Sequence, residues 1–245
     1  CDVSLSEHNG NRLICHYCGY ETVKPEICPS CGSPHIGGFK AGTQQIEKVI
    51  EKEFPKARVL RMDFDTTRTK DSYEKILASF AKHEADILVG TQMIVKGHDF
   101  PNVTLVGVIA ADLSLNMDDY HCGERTFQLL TQAVGRSGRG NRPGQAVIQT
   151  YQPEHYSIQA AAIQDYEKFY KEEMGYRMLL DYPPAAHMMT VFGACQDEEL
   201  LKNAMYYIEV FIRRVSPKEE LHMIGPAAAS VGKVKDVYRQ VIHLK

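Results

Sequence analysis

The chain has 245 residues, 28 Lys plus Arg against 31 Asp plus Glu, a net charge of −3 and 44% apolar residues. That length suits one or two domains with ample core, and the charge excludes a uniformly basic nucleic-acid binder, so any nucleic-acid contact must be local. No run of about 18 apolar residues occurs, which excludes a membrane-spanning helix, and the first residues do not read as a signal peptide.

Residues 1–38 are rich in Cys, Gly and Pro and too polar to fold without a metal. Cys15-x2-Cys18 and Cys28-x2-Cys31 are paired knuckles nine residues apart, and a glycine, Gly19 or Gly32, follows each second cysteine. Thiolates at this spacing can put two sulfurs from each turn on one tetrahedral Zn²⁺, and such thiols fit a reducing, cytoplasmic compartment. Cys1 is odd, because its own C-x2-C partner would fall three positions before the first residue. Cys122 and Cys195 stand alone and read as ordinary helix and strand residues.

Beyond residue 38 the periodicity alternates. A helix is predicted over about 43–54 with Ile46, Val49, Ile50 and Phe54 on one face, then a strand over Arg58–Met62. A second helix over about 70–82 buries Tyr73, Ile76, Leu77 and Phe80. Strands follow near 86–90, 104–111 and 145–150, with a helix before the last of them. Alternation of this kind predicts an α/β domain over 39–152, a parallel sheet covered on both faces. Residues 153–184 read as a connector, helical over 154–180 and closed by Tyr182-Pro183-Pro184. The remainder, 185–245, reads as a small α+β domain: a strand near 188–195, a helix near 197–215 and strands near 221–225 and 236–244. Leu201, Met205, Ile208 and Ile212 form that helix's buried stripe.

Two motifs in the α/β domain carry chemistry. Gly90-Thr91 follows the apolar strand Ile87-Leu88-Val89, and with Lys96, Gly97 and Asp99 it makes a T-x5-G-x-D pattern. Polar groups just past strand C-termini are where open α/β sheets act on ligands. Gly97 would admit a phosphate close to the backbone, and Asp99 could orient an arginine or a water. Some forty residues later Gln132, Gly135, Arg136 and Arg139 spell Q-x-x-G-R-x-x-R, the pattern at the second motor lobe of many nucleic-acid helicases. On a helix, Gln132, Arg136 and Arg139 fall at i, i+4 and i+7 and share a face. Arginine suits a γ-phosphate because its planar fork donates two bonds and keeps its charge. No G-x-x-x-x-G-K-[ST] loop and no D-E-x-H strand end occur in the chain. Hydrolysis needs phosphate cradle, metal and arginine together, so the chain is expected to be a second motor lobe that is silent alone.

The run Glu124–Arg136, the segment Gly90–Pro101, the stretch Arg61-Met62-Asp63-Phe64-Asp65-Thr66-Thr67 and the cysteine-rich start together resemble the PriA family of superfamily 2 DNA helicases. The likeness covers essentially the whole chain and weakens after about Pro184. It implies a RecA-like second helicase lobe in a motor that moves 3′ to 5′ on DNA during bacterial replication restart. ATP with Mg²⁺ is then the cofactor of the full-length protein. Forked or single-stranded DNA, primosome proteins and single-stranded-DNA-binding protein are its implied partners, with no membrane. The resemblance also implies two zinc ions, with Cys1, Cys15 and Cys18 on one, and Cys28 and Cys31 joining an upstream pair on the other. A single zinc on Cys15, Cys18, Cys28 and Cys31 is the alternative. The competing function is a free-standing zinc module that binds nucleic acid or protein without catalysis.

Lys233, Lys235, Arg239 and Lys245 gather within thirteen residues near the C-terminus against one acid, Asp236. Gly225 and Gly232 read as bounding a flexible connection that could present Lys233 and Lys235 to DNA phosphates, and on a strand Arg239 shares a face with His243. The bland alternative is a solvated basic surface.

Overall fold

The computed structural model describes the chain apart from residues 2, 4, 9–10, 16, 35–41, 68–70, 96–99, 118, 139–142 and 217–220. The chain forms two compact units, a continuous one, Phe39–Glu173, and a discontinuous one made of Cys1–Gly38 with Met174–Lys245.

Three short antiparallel strands open the discontinuous unit in the order β1 (Ser6–His8), β2 (Arg12–Ile14) and β3 (Glu21–Val23). Cys15, directly after β2, is the buried apolar side chain among the described residues of this stretch. So small a core offers this segment little hydrophobic burial of its own.

The continuous unit begins with α1 (Thr43–Glu53), β4 (Val59–Met62), α2 (Ser72–Ala81) and β5 (Ile87–Gly90). β4 and β5 run parallel, with Val59 opposite Ile87 and Met62 opposite Gly90. The face expected of α1 is only partly used: Ile46 and Ile50 are half-buried, whereas Val49 and Phe54 are exposed. A 3-10 turn, Gln92–Val95, follows β5, and then come β6 (Leu105–Val108), α3 (Asp112–Leu115), α4 (Cys122–Val134) and β7 (Gln145–Ile148). β6 is shorter than its apolar run predicted, because Ala110 turns left-handed at φ 57° and Ala111 leads into α3.

β6 and β7 form a second parallel pair, Val106 opposite Ala146 and Val108 opposite Ile148. Among the described residues, this pair is covered on one face rather than the expected two. Val108 and Ile148 pack against the buried cluster, while Leu105 and Val147 on the opposite face are exposed. The cause is that the helical segment after β7 folds onto the same side as α4.

That segment is two helices, α5 (Tyr156–Ala162) and α6 (Tyr166–Leu179), rather than one long connector. Gln164 at φ 55° breaks them apart. Ile158, Ala160 and Ala161 of α5 and Phe169 of α6 join Phe127 and Leu130 of α4 in one core, with the Phe127 and Phe169 rings stacked 4.2 Å apart. These residues therefore serve the α/β unit's interior.

The C-terminal elements are β8 (Met189–Cys195), α7 (Glu198–Val215), β9 (Met223–Val234) and β10 (Val237–Leu244), with an antiparallel sheet ordered β8-β10-β9. Asp197 caps α7 by accepting the Leu200 N–H at 3.0 Å, and Glu198, Glu199, Arg213 and Arg214 sit at the ends the helix dipole favours. Leu201 and Met205 pack with Ile242 and Leu244, and Ile208 and Ile212 flank them, as the stripe predicted. β9 is a correction. The segment read as a flexible connection between Gly225 and Gly232 is continuous bulged strand paired with β10. Gly225 marks a close approach: its φ is +105°, and a Cβ there would lie 2.6 Å from the Val241 carbonyl oxygen.

Candidate functional site

The two motor motifs meet at the carboxyl end of β5. Gly90 closes that strand against β4, where an added Cβ would lie 2.4 Å from the Met62 carbonyl oxygen and 2.6 Å from Ile94. Only glycine lets Thr91 leave the strand here. The Thr91 carbonyl accepts the Ile94 N–H at 3.1 Å, starting the tight turn Gln92–Val95. Arg136 then reaches across: its Nε donates to the Val95 carbonyl at 3.0 Å and its Nη2 donates to the same oxygen at 2.6 Å. Residues Lys96, Gly97 and Asp99 of the first motif, and Arg139 of the second, lie outside the described residues.

The expectation that Gln132 and Arg136 share a helical face is corrected; Arg139 lies outside the described residues. α4 ends at Val134, with Gly135 as its C-cap, and Arg136 stands in the turn beyond. The Arg136 N–H donates to Ala133 O and the Ser137 Oγ to Val134 O, a tightening that ends the α-helical rise. Gly138 follows at φ +75° and donates its N–H to Val103 O at 3.0 Å, drawing the chain back to the sheet. Gln132 remains on the helix, exposed.

Asp63, at the end of β4, is buried and tied on several sides. Thr43 Oγ1 donates to its carboxylate at 2.5 Å, the Thr66 N–H donates at 3.0 Å, and Arg61 Nη1 stands 3.4 Å away. Burial alone would raise its pKa, but the Thr43 hydroxyl, the Thr66 N–H and Arg61 outweigh it and hold the carboxyl below its ordinary value. Asp112 plays the same part past β6. It accepts from Thr150 Oγ1 at 2.7 Å and from the Tyr151 N–H at 3.0 Å, and these bonds overcome its desolvation. No local pattern marks Asp112's role, nor that of Tyr156, which donates its hydroxyl to the buried Glu173 at 2.6 Å. Both depend on partners 17 to 39 residues away.

The thiols form a second cluster. Cys1, Cys15 and Cys18 bring their sulfurs within 4.8 Å of one another. The two C-x2-C turns share one hydrogen-bond pattern. The Cys15 N–H donates to Tyr20 O and the Gly19 N–H to Cys15 O, both at 2.8 Å; the Cys28 N–H donates to Ser33 O and the Gly32 N–H to Cys28 O, both at 2.9 Å. Gly19 at φ 77° and Gly32 at φ 70° make each turn possible. Within each turn, backbone N–H groups aim at the first sulfur. Those of Cys18 and Tyr17 pull the Cys15 thiol below its ordinary pKa against its burial, and those of Cys31 and Ser30 do the same for Cys28. Three soft thiols converging on one point fit a tetrahedral thiophilic ion such as Zn²⁺. The grouping follows the arrangement with Cys1; among the described residues, Cys28 and Cys31 do not join Cys15 and Cys18 in one set.

The C-terminal cations are dispersed. Lys233 pairs across the hairpin with Tyr238, lying 4.4 Å over its ring and 3.2 Å from Asp236. Arg239 is on the opposite face of β10, opposite Ala194 and beside the His243 face, as alternation required. Lys235 occupies the hairpin turn. Lys245 donates to Leu180 O at 2.8 Å and covers the Tyr182 ring at 3.5 Å. The expected single basic cluster is thereby split between two faces, a tip and the strand's end.

Comparison with known proteins gives two domain matches: the helicase conserved C-terminal domain over residues 37–141, and the PriA DNA helicase Cys-rich region over residues 1–22. The chain is 47% identical over 98% of its length to the replication restart protein PriA of Bacillus subtilis, 42% over its whole length to that of Synechocystis, and 38% to that of Chlamydia trachomatis. It spans 30% to 33% of the length of these curated relatives. The parallel α/β unit is thus a RecA-like helicase lobe, flanked by a Cys-rich region and a small antiparallel domain.

Proposed function

Since this chain belongs to the PriA family of replication restart proteins, we propose that it forms the second lobe of an ATP-driven DNA helicase that moves 3′ to 5′ and acts where replication is restarted. The observation that carries this reading is the fork of Arg136 on the Val95 carbonyl, which joins the Q-x-x-G-R turn to the segment after Gly90-Thr91. A motor must pass a change at its nucleotide to its DNA track, and a direct bond between these motifs is a route for it. In this reading Arg136 and Arg139 stabilise the γ-phosphate charge, with Gln132 beside them. Thr91, Lys96, Gly97 and Asp99 pass the change to DNA. ATP and Mg²⁺ are held with the help of a first lobe, so the chain alone is inactive.

Zinc belongs to the same proposal. Cys1, Cys15 and Cys18 would hold one ion, and Cys28 with Cys31 would contribute to another; each would supply the folding energy that residues 1–38 lack. Forked or single-stranded DNA is the proposed substrate, with Lys235 and Arg239 as its contacts in the C-terminal domain and Lys233 in a lesser part. Primosome proteins and single-stranded-DNA-binding protein are proposed partners, in a bacterial cytoplasm.

Full-length protein given ATP, Mg²⁺ and a fork with a 3′ single-stranded arm should unwind it, while the 245-residue chain should hydrolyse no ATP above background. Turnover by the isolated chain, or a full-length protein that leaves such forks intact, overturns the reading.

A further inference from the structure

Each knuckle in the N-terminal region supplies its own first cysteine with backbone N–H donors. The Cys18 and Tyr17 N–H groups point at the Cys15 sulfur, and those of Cys31 and Ser30 at the Cys28 sulfur. Cys1 receives its donor from far along the chain: the Lys235 N–H points at its Sγ at 3.1 Å, across 234 residues.

The donor is well placed. Lys235 and Asp236 are the two central residues of the β9–β10 turn, flanked by the Val234–Val237 pair, and both have positive φ, 49° and 61°. That is a type I′ turn, the form whose twist matches a hairpin. In such a turn the first central N–H is not used by the hairpin's own ladder, so it points outward and needs an acceptor. The tip is also held firm. Val234 is buried, and Lys233 is locked between Tyr238 and Asp236 directly beneath the turn.

We propose that the β9–β10 hairpin tip is part of the metal centre: the Lys235 backbone N–H is the outer donor to the Cys1 thiolate, so metal binding at Cys1, Cys15 and Cys18 and docking of this hairpin are one event. The inference rests on the zinc reading above and adds a residue that motif spacing does not contain. Outer-shell donors of this kind fix the direction of a ligand and are worth about 10- to 100-fold in metal affinity. The donor is main chain, so the identity of the side chain at 235 is not what matters.

The test is a proton–cadmium correlation spectrum of the isotopically labelled 245-residue chain loaded with ¹¹³Cd²⁺ in place of zinc. Amide protons that hydrogen-bond to a metal-bound sulfur couple to the metal nucleus through that bond. Correlations are expected to the Cys18 and Tyr17 amides and to the Lys235 amide. The Cys18 correlation without that of Lys235 sinks the inference and leaves the metal site standing. No correlation at any of these amides sinks both. Lys235→Asn, which keeps the N–H and tolerates the left-handed turn, should retain the correlation at residue 235; its loss would assign the contact to the side chain and overturn the main-chain reading.

Discussion

Arg136 spends two of its five N–H donors on one carbonyl oxygen, that of Val95, 41 residues earlier in the chain. Both belong to motifs read from the sequence, yet their spacing alone did not say that they touch. The bond makes Arg136 a bridge as well as a charge. Arg136→Ala in the full-length protein should lower DNA-stimulated ATP turnover by about 10³-fold. Arg136→Lys should not restore it, because an ammonium is a single point charge without the fork. Turnover within tenfold of wild type in either variant would reduce Arg136 to a structural pin. Arg139→Ala carries the same expectation.

Gly90 is a tight point of the lobe. Gly90→Ala sets a methyl against the Met62 carbonyl, a backbone atom that cannot swing away. Destabilisation of about 1–3 kcal/mol is expected, the usual cost of overpacking. Urea titration of the chain should show a lower midpoint at unchanged slope.

Acid should loosen the lobe through Asp112. Its folded-state pKa is depressed, so its contribution to stability is complete above the unfolded value of about 4 and is lost as pH falls through the folded one. Asp63 acts in the same direction. Asp112→Asn should therefore be less stable at pH 7 but lose less between pH 5 and 2 than wild type. Parallel stability–pH curves for the two proteins would rule this out.

Removing a thiol should cost the metal and the order around it. Cys15→Ser should lose bound zinc and the β1-β2-β3 sheet, since structural zinc supplies the folding energy of such modules. The α/β unit, with its own core around Phe127 and Phe169, should keep its cooperative melt. Elemental analysis showing full zinc in the variant would count against Cys15 as a ligand.

Arg239 and Lys233 should differ in their effect on DNA binding, although the sequence groups them. Lys233 is already compensated by Asp236 and its Tyr238 contacts, whereas Arg239 lies on the other face of the sheet. In the full-length protein, Arg239→Ala should reduce the log–log salt slope of fork binding by about 1. Lys233→Ala should change it by less. Equal effects would mean that the hairpin rearranges on DNA.

Legibility tracked sequence distance. The knuckles, the α7 stripe and the parallel strands were readable because spacing of four residues or fewer dictates them. The end of α4 was not: helical period carries Gln132 on to Arg136, but Gly135 and the Ser137 hydroxyl stop the rise first. β9 was missed because Gly225 and Gly232 look like loop residues, and cross-strand pairing with β10 overrides that local preference. The exposure of Val49 and Phe54 shows the reverse case, an apolar face that period identifies but packing leaves open. The Cys1–Lys235 and Asp112–Tyr151 contacts carry no local signal at all.

The division of the chain also sets a timetable. Residues 39–173 are one uninterrupted run, while the other unit needs both the first 38 residues and everything after 173. On a ribosome the helicase lobe can therefore fold while its companion is still half-made. At translation rates of about 5–20 residues per second, the thiols of the first knuckles wait on the order of 10–40 s before Lys235 emerges. On the proposal above, any ion they take up in that interval is taken up without the hairpin, and the centre closes only when β9 and β10 arrive.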